Sequence, residues 1–108
     1  MAERMLTREA LLQKANTLPL CAGVYVMRDR QGRVIYVGKS RKLKNRVSQY
    51  FQNSEKNIKT ANMVRQVKDF DYYVCDTEIE ALSLENTLIK QYFIFGFFYC
   101  HICLQLKF

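Results

Sequence analysis

The sequence predicts a small single α/β domain, a three-stranded, largely antiparallel sheet flanked by helices. Three observations lead there. A chain of 108 residues has room for one domain and one modest core. Two runs rich in β-branched and aromatic residues, Gly23-Val24-Tyr25-Val26-Met27 and Val34-Ile35-Tyr36-Val37, enclose a turn and read as a β-hairpin. The remaining apolar residues recur at helical spacing in segments that alternate with strand-like text, in the order helix, strand, strand, helix, helix, strand, helix, which suits a small sheet covered by helices.

The first helix is predicted over Thr7 to Ala15. Thr7 serves as its cap, Leu11 and Leu12 give it an apolar side, and Leu18-Pro19 ends it, because a residue before proline is pushed out of the helical region. In the hairpin, Asp29-Arg30-Gln31-Gly32 is the turn, with Asp at its first position and Gly where positive φ is often needed. Gly38 closes the second strand. Ser40 is expected to cap a helix starting at Arg41, whose Leu43, Val47 and Tyr50/Phe51 form one buried stripe. Lys42, Arg46 and Tyr50 fall on a second stripe at i, i+4 and i+8. Residues 52–58 read as a loop, Thr60 to Lys68 as a helix and Phe70 to Cys75 as a third strand. Thr77-Glu78-Ile79-Glu80 is a capping box that opens a last helix over Glu78 to Gln91. A four-residue hairpin loop would set Tyr25 opposite Tyr36 on one face, and a bulge at Gly32 would shift that pairing by one.

Charge is unevenly placed. The chain carries 17 Lys and Arg against 10 Asp and Glu, a net +7. Residues 38–68 hold nine bases and one acid, and residues 69–89 hold six acids and no base. A concentrated basic stretch favours a polyanion such as nucleic acid, although a solvated lysine-rich face has the same composition. Of four cysteines, Cys21 and Cys75 stand alone, and Cys100-His101-Ile102-Cys103 lacks the further ligands a zinc site needs. Reduced thiols and a cytoplasmic location are expected. The N-terminus has no apolar run of signal-peptide length. No membrane association is expected, because the apolar run after Tyr92 is shorter than the roughly 20 residues a span requires.

The candidate chemical residues gather around the hairpin. Two tyrosines in a small sheet are usually packing groups, and Glu85 among Leu82, Leu84 and Leu88 could be the outer face of an amphipathic helix. Together with Lys39, Arg46 and Tyr50 they form a more specific pattern. Gly23-Val24-Tyr25, ten residues, Tyr36-Val37-Gly38, then Lys39, Arg46, Tyr50 and Glu85 resemble the GIY-YIG nuclease domain, in the form found at the N-terminus of the bacterial excinuclease protein UvrC. Leu18-Pro19 and the segment Glu80 to Lys90 resemble it too, so the likeness covers residues 12–92.

That resemblance implies a GIY-YIG-like fold and DNA cleavage with one divalent cation, Mg2+ or Mn2+, held by Glu85. A hard cation takes oxygen ligands, and magnesium often uses one carboxylate with waters and phosphate oxygens. Arg46 would face the scissile phosphate and neutralise charge growing in the transition state. Tyr25 and Tyr36 would position the attacking water, one of them acting as base, and Tyr50 would bond to the phosphate or to a water. A phenol titrates near ~10, so a base at neutral pH needs positive charge nearby, for which Lys39 is the expected source. Lys39, Arg41, Lys42, Lys44 and Arg46 are the expected DNA-binding residues.

The expected organisation is a nuclease-like domain over residues 1–92 and a divergent apolar tail over 93–108. The tail replaces the Pro-containing segment and the Asn that usually follow in UvrC proteins. The later UvrC segments, which bind UvrB, carry a second nuclease domain and read DNA, do not follow residue 92. A partner of the UvrB type is therefore not assigned. Two functions are expected. The first is a metal-dependent DNA endonuclease domain resembling the 3′-incision domain of the excision-repair excinuclease. The second is a non-catalytic DNA-binding remnant of it.

Overall fold

A computed structural model describes residues 6–53 and 55–93. The elements are α1 (Arg8–Asn16), β1 (Gly23–Arg28), β2 (Val34–Ser40), α2 (Leu43–Phe51), α3 (Ile58–Gln66), β3 (Asp69–Val74) and α4 (Glu78–Phe93). The strands form one sheet in the order β2-β1-β3, with both pairings antiparallel. The expected tail and its Cys-x-x-Cys lie outside the described residues, apart from Phe93 as the last residue of α4.

Both faces of the sheet are covered, so β1 and most of β2 are buried without a break and read as continuous apolar runs rather than alternating ones. On one face Tyr25, Met27 and Tyr36 pack with Leu11 of α1, Leu43 and Val47 of α2 and Met63 of α3. On the other, Val24, Val26 and Val37 pack with Ala81, Leu84 and Leu88 of α4. A fully buried aliphatic side chain of this kind contributes roughly 1.5–3 kcal/mol. Tyr72, Tyr73 and Val74 remain partly exposed on β3, the strand at the other edge.

The hairpin turn forms as expected. Gly32 has φ 81° and its N–H donates to the Asp29 carbonyl at 3.0 Å. Asp29 is buried because its carboxylate accepts from the N–H groups of Gln31 and Arg33. The pairing beyond it differs from expectation. Tyr25 lies opposite Gly38, and Tyr36 lies opposite Met27. The extra loop residue at Gly32 shifts the register once, and a bulge at Ile35, between the Met27–Tyr36 and Arg28–Val34 pairs, shifts it again. Two shifts of one preserve side-chain parity, so Tyr25 and Tyr36 still share a face.

Ser40 does not cap a helix at Arg41. Strand β2 continues through Ser40 because it pairs with Gly23, and the Ser40 hydroxyl accepts from the N–H of Lys42 instead. Helix α2 starts at Leu43 with no side-chain cap. Helix α3 starts two residues before Thr60, because the Asn57 side chain accepts from the Thr60 N–H. The capping box of α4 forms with one change: Thr77 Oγ1 accepts from the Glu80 N–H, while Glu80 Oε1 accepts from the N–H of Asp76. Lys14 ties α1 to β3 by donating to Asp69 at 2.8 Å and to the Phe70 carbonyl at 2.6 Å. Local text shows nothing of that contact.

Candidate active site

Two glycines let the site close. A Cβ on Gly23 would overlap the Tyr73 carbonyl oxygen and Leu43, so the start of β1 admits no side chain between β3 and α2. A Cβ on Gly38 would fall within 3 Å of three atoms of Tyr25. The phenol of Tyr25 therefore lies flat across the backbone of β2, held there because its cross-strand neighbour has no side chain.

Tyr25 then meets Tyr50 of α2, and their hydroxyls share a hydrogen bond of 2.8 Å. Tyr36 completes a cluster of three rings, with centroids 6.0 Å from Tyr25 and 6.4 Å from Tyr50. Tyr50 is only partly buried, while Tyr25 and Tyr36 are 1% and 2% exposed. Arg46 stands one turn before Tyr50 on the same stripe of α2, and its charge acts on Tyr25. Glu85 lies on α4, in the opposite layer. It is 1% exposed and its charge acts on Tyr36.

Burial, with the neighbouring hydroxyls adding to it, holds the Tyr25 phenol well above its ordinary 10.0. Arg46 pulls the other way but does not prevail. The Tyr36 phenol is also raised, first by burial and then by Tyr50, with Glu85 contributing. The expected lowering by Lys39 does not occur. Lys39 follows Gly38 and so points to the other face of the strand, where it is exposed. In this state both phenols are neutral at pH 7 and can donate as well as accept.

A group bound to its proton more tightly in the folded than in the unfolded state adds stability below the unfolded value and loses it as pH rises through the folded one. Stability should therefore hold up to about pH 10, the unfolded tyrosine range, and fall above it. Phenolate absorbance followed alongside circular dichroism checks this. Two of the seven tyrosines should ionise only together with unfolding, and ionisation of all seven near pH 10 in a folded chain would contradict the burial.

Beside the cluster opens a cleft of about 540 Å³ lined by Lys39, Ser40, Arg41, Lys42, Asn45, Arg46, Gln49, Glu78 and Ala81. Four of the five expected DNA-binding residues meet there. Lys44 does not, because it sits two positions from both Lys42 and Arg46, about 200° round the helix. The other bases of the 38–68 stretch lie elsewhere: Lys56 donates to the Gln52 carbonyl at the far end of α2, and Lys68 to the Arg65 carbonyl after α3. Sequence reasoning misses Asn45 and Gln49, although both lie on the Lys42 face at i+3 and i+7. It marks Glu78 only as the start of a helix.

The donor set fits a hard divalent cation. Glu85 offers a buried carboxylate on the same stripe of α4 as Ala81 in the cleft wall, beside neutral hydroxyls. No cluster of three His, Cys, Asp or Glu side chains exists among the described residues, so a metal here would complete its shell with water and phosphate oxygens, as magnesium commonly does. Among the described residues no helix is long and apolar enough to cross a membrane.

Residues 21–93 match the family described as the UvrC-like GIY-YIG domain. The chain is 57% identical over 82 residues to UvrABC system protein C of Caldicellulosiruptor saccharolyticus, a match covering 76% of this chain and 14% of that protein. It is 51% identical over 75 residues to the protein of the same name from Methanosarcina barkeri, covering 69% and 14%. The chain thus spans about one seventh of the length of these relatives. Its fold is similar to the GIY-YIG N-terminal endonuclease domain of UvrC from Thermotoga maritima bound to its catalytic divalent cation, magnesium, with a TM-score of 0.70, 30% identity and coverage of 80% and 93%.

Proposed function

Because the chain belongs to the UvrC-like GIY-YIG domain family, we propose that it is a divalent-metal-dependent endonuclease domain that hydrolyses a phosphodiester of DNA, as the 3′-incision domain of an excision-repair excinuclease. One observation carries the reading. A buried carboxylate of α4 and an arginine of α2 each act by charge on a tyrosine of a three-ring cluster, beside a cleft lined by four cations. Each element contributes one kind of group that phosphodiester hydrolysis needs.

Glu85 is the residue that would hold Mg2+ or Mn2+, and the cation when bound supplies charge neutralisation and polarisation at the phosphate. Arg46, exposed at the cleft and always charged, presents a fork of N–H donors that matches phosphate oxygens. Its charge is available before reaction, so it stabilises charge that grows in the transition state without reorganising. The linked hydroxyls of Tyr25 and Tyr50, with Tyr36 beside them, hold a water by donating and accepting hydrogen bonds. The phenol that takes its proton must first lose its own, and burial opposes that. The base thus depends on the positive charge that the cation would supply, which lets the phenol release its proton to solvent, since the phosphate itself adds negative charge. Lys39, Arg41 and Lys42 hold the DNA backbone, a positioning role without sequence preference.

The test is nicking of supercoiled plasmid in Mg2+ or Mn2+ against a chelator control, with duplex binding measured in parallel. Nicking by the chain is expected, with a 10²–10³-fold loss in Arg46→Ala, about 3–4 kcal/mol. Four cleft cations, each neutralising one phosphate, set a slope of log K against log salt near −3.6. Binding without nicking favours the second reading, a DNA-binding remnant. A flat salt dependence rejects both.

A further inference from the structure

We propose that Glu78 is a specificity-setting residue of the cleft: its carboxylate holds Arg41 in place of a substrate phosphate, so a ligand enters only by taking Arg41 from it. The Nε of Arg41 donates to Oε1 of Glu78 in an ion pair between residues 37 positions apart. Arg41 lies on the connector between β2 and α2, and Glu78 in the first turn of α4, so the pair joins the two walls of the cleft. Among the described residues lining that cleft, Glu78 is the one carboxylate, against Lys39, Arg41, Lys42 and Arg46.

The geometry also sets Glu78 apart from its neighbour. Glu78, Ala81 and Glu85 follow at i, i+3 and i+7, one stripe of α4, which puts Glu78 about 10 Å along the axis from Glu85. Glu80 belongs to the same turn, yet its Oε1 accepts from the Asp76 N–H and it does not line the cleft. The side chains of Arg41 and Glu78 are 83% and 61% exposed, and exposed pairs of this kind are weak and readily exchanged. A guanidinium fits a carboxylate and a phosphate with the same fork of donors. A lone anion that takes Arg41 gains little over Glu78. A chain of phosphates that engages the other three cations at once does better. The clasp thus favours a polyanion over small anions.

This inference rests on the nuclease reading for the identity of the polyanion as DNA, and its test separates the two. Duplex DNA binding is measured across salt for the parent, Glu78→Gln and Glu80→Gln, together with inorganic phosphate titrations followed by NMR shifts of cleft amides. Glu and Gln have similar helix propensities, and thermal melts verify folding. Glu78→Gln should bind duplex about fivefold more tightly at 0.1 M salt, with the slope unchanged near −3.6, because the same four cations meet the phosphates in both proteins. Glu80→Gln, an equal change of net charge, should stay within twofold of the parent. The gain should vanish in an Arg41→Gln background, which also decides the matter if Glu78→Gln is affected elsewhere. Inorganic phosphate should bind Glu78→Gln more tightly than the parent. Equal gains in both Gln variants, no gain in Glu78→Gln, or a gain that survives loss of Arg41 would overturn the clasp. If the parent does not bind DNA, the nuclease reading falls by itself, and equal phosphate affinities in parent and Glu78→Gln would then reject the clasp separately.

Discussion

Glu85→Gln is expected to abolish metal-dependent nicking while the domain stays folded. The substitution keeps the shape of the side chain and removes the one charged oxygen ligand that α4 brings to the tyrosine cluster. Amide oxygen is a poor substitute where a hard cation is held by a single protein carboxylate, since the loss cannot be shared among other ligands. Glu85 is 1% exposed, and taking an ionised carboxylate out of water costs stability. In chelator, the melting temperature of Glu85→Gln should therefore equal or exceed that of the parent. Added Mg2+ or Mn2+ should raise the parent's melting temperature, as any ligand of the native state does, and leave that of the variant unchanged. Residual nicking close to the parent's would show that the metal is held elsewhere. A collapse of the variant's melting transition would show that Glu85 serves the core.

Gly38→Ala should have the next largest effect, through the position of a ring. The backbone at Gly38 does not require glycine, because Gly32 is the glycine with positive φ among the described residues. The added methyl instead meets the Tyr25 phenol, with Cε2 at 2.9 Å and Cζ and Oη nearer still. The ring has no room to retreat, since Tyr36 and Tyr50 pack against it with centroids 6.0 and 5.7 Å away. It must shift by about 1 Å, and that opens its 2.8 Å hydrogen bond to Tyr50. Overpacking of this kind costs about 1–3 kcal/mol, and a catalytic group misplaced by 1 Å about 10²-fold in rate. Gly32→Ala is the informative companion. Its φ of 81° strains any other residue, yet nothing lies within 4 Å of its Cβ position. It should lose stability by about 1 kcal/mol and keep its nicking rate per folded molecule. Gly38→Ala nicking at the parent's rate would mean that the tyrosine array is not needed in this arrangement.

Much of the fold was legible because its signals are local. Asp29 and Gly32 mark a turn whose hydrogen bonds form within five residues, and Thr77 with Glu80 marks a helix start within four. Leu43, Val47 and Phe51 show the buried side of α2 by spacing alone. Helix ends were less secure where two polar residues compete, as when Asn57 rather than Thr60 begins α3. Pairing across the hairpin could not be counted from the loop, because a second register shift, at Ile35, lies within β2 beyond the turn.

By itself the sequence determined the order of elements, the two glycine-bearing tripeptides and the stripe of Lys42, Arg46 and Tyr50, each a matter of propensity or periodicity within one element. Only the tertiary structure decided that Tyr25 lies across Gly38, that the charge of Glu85 from one layer acts on Tyr36 of the other, and that Glu78 enters a cleft from which Lys44 is excluded. Those relations join residues up to 49 positions apart. They are set where the packing of α2 on one face of the sheet and α4 on the other brings the two helices together beside β2, and neither helix encodes that meeting in its own periodicity.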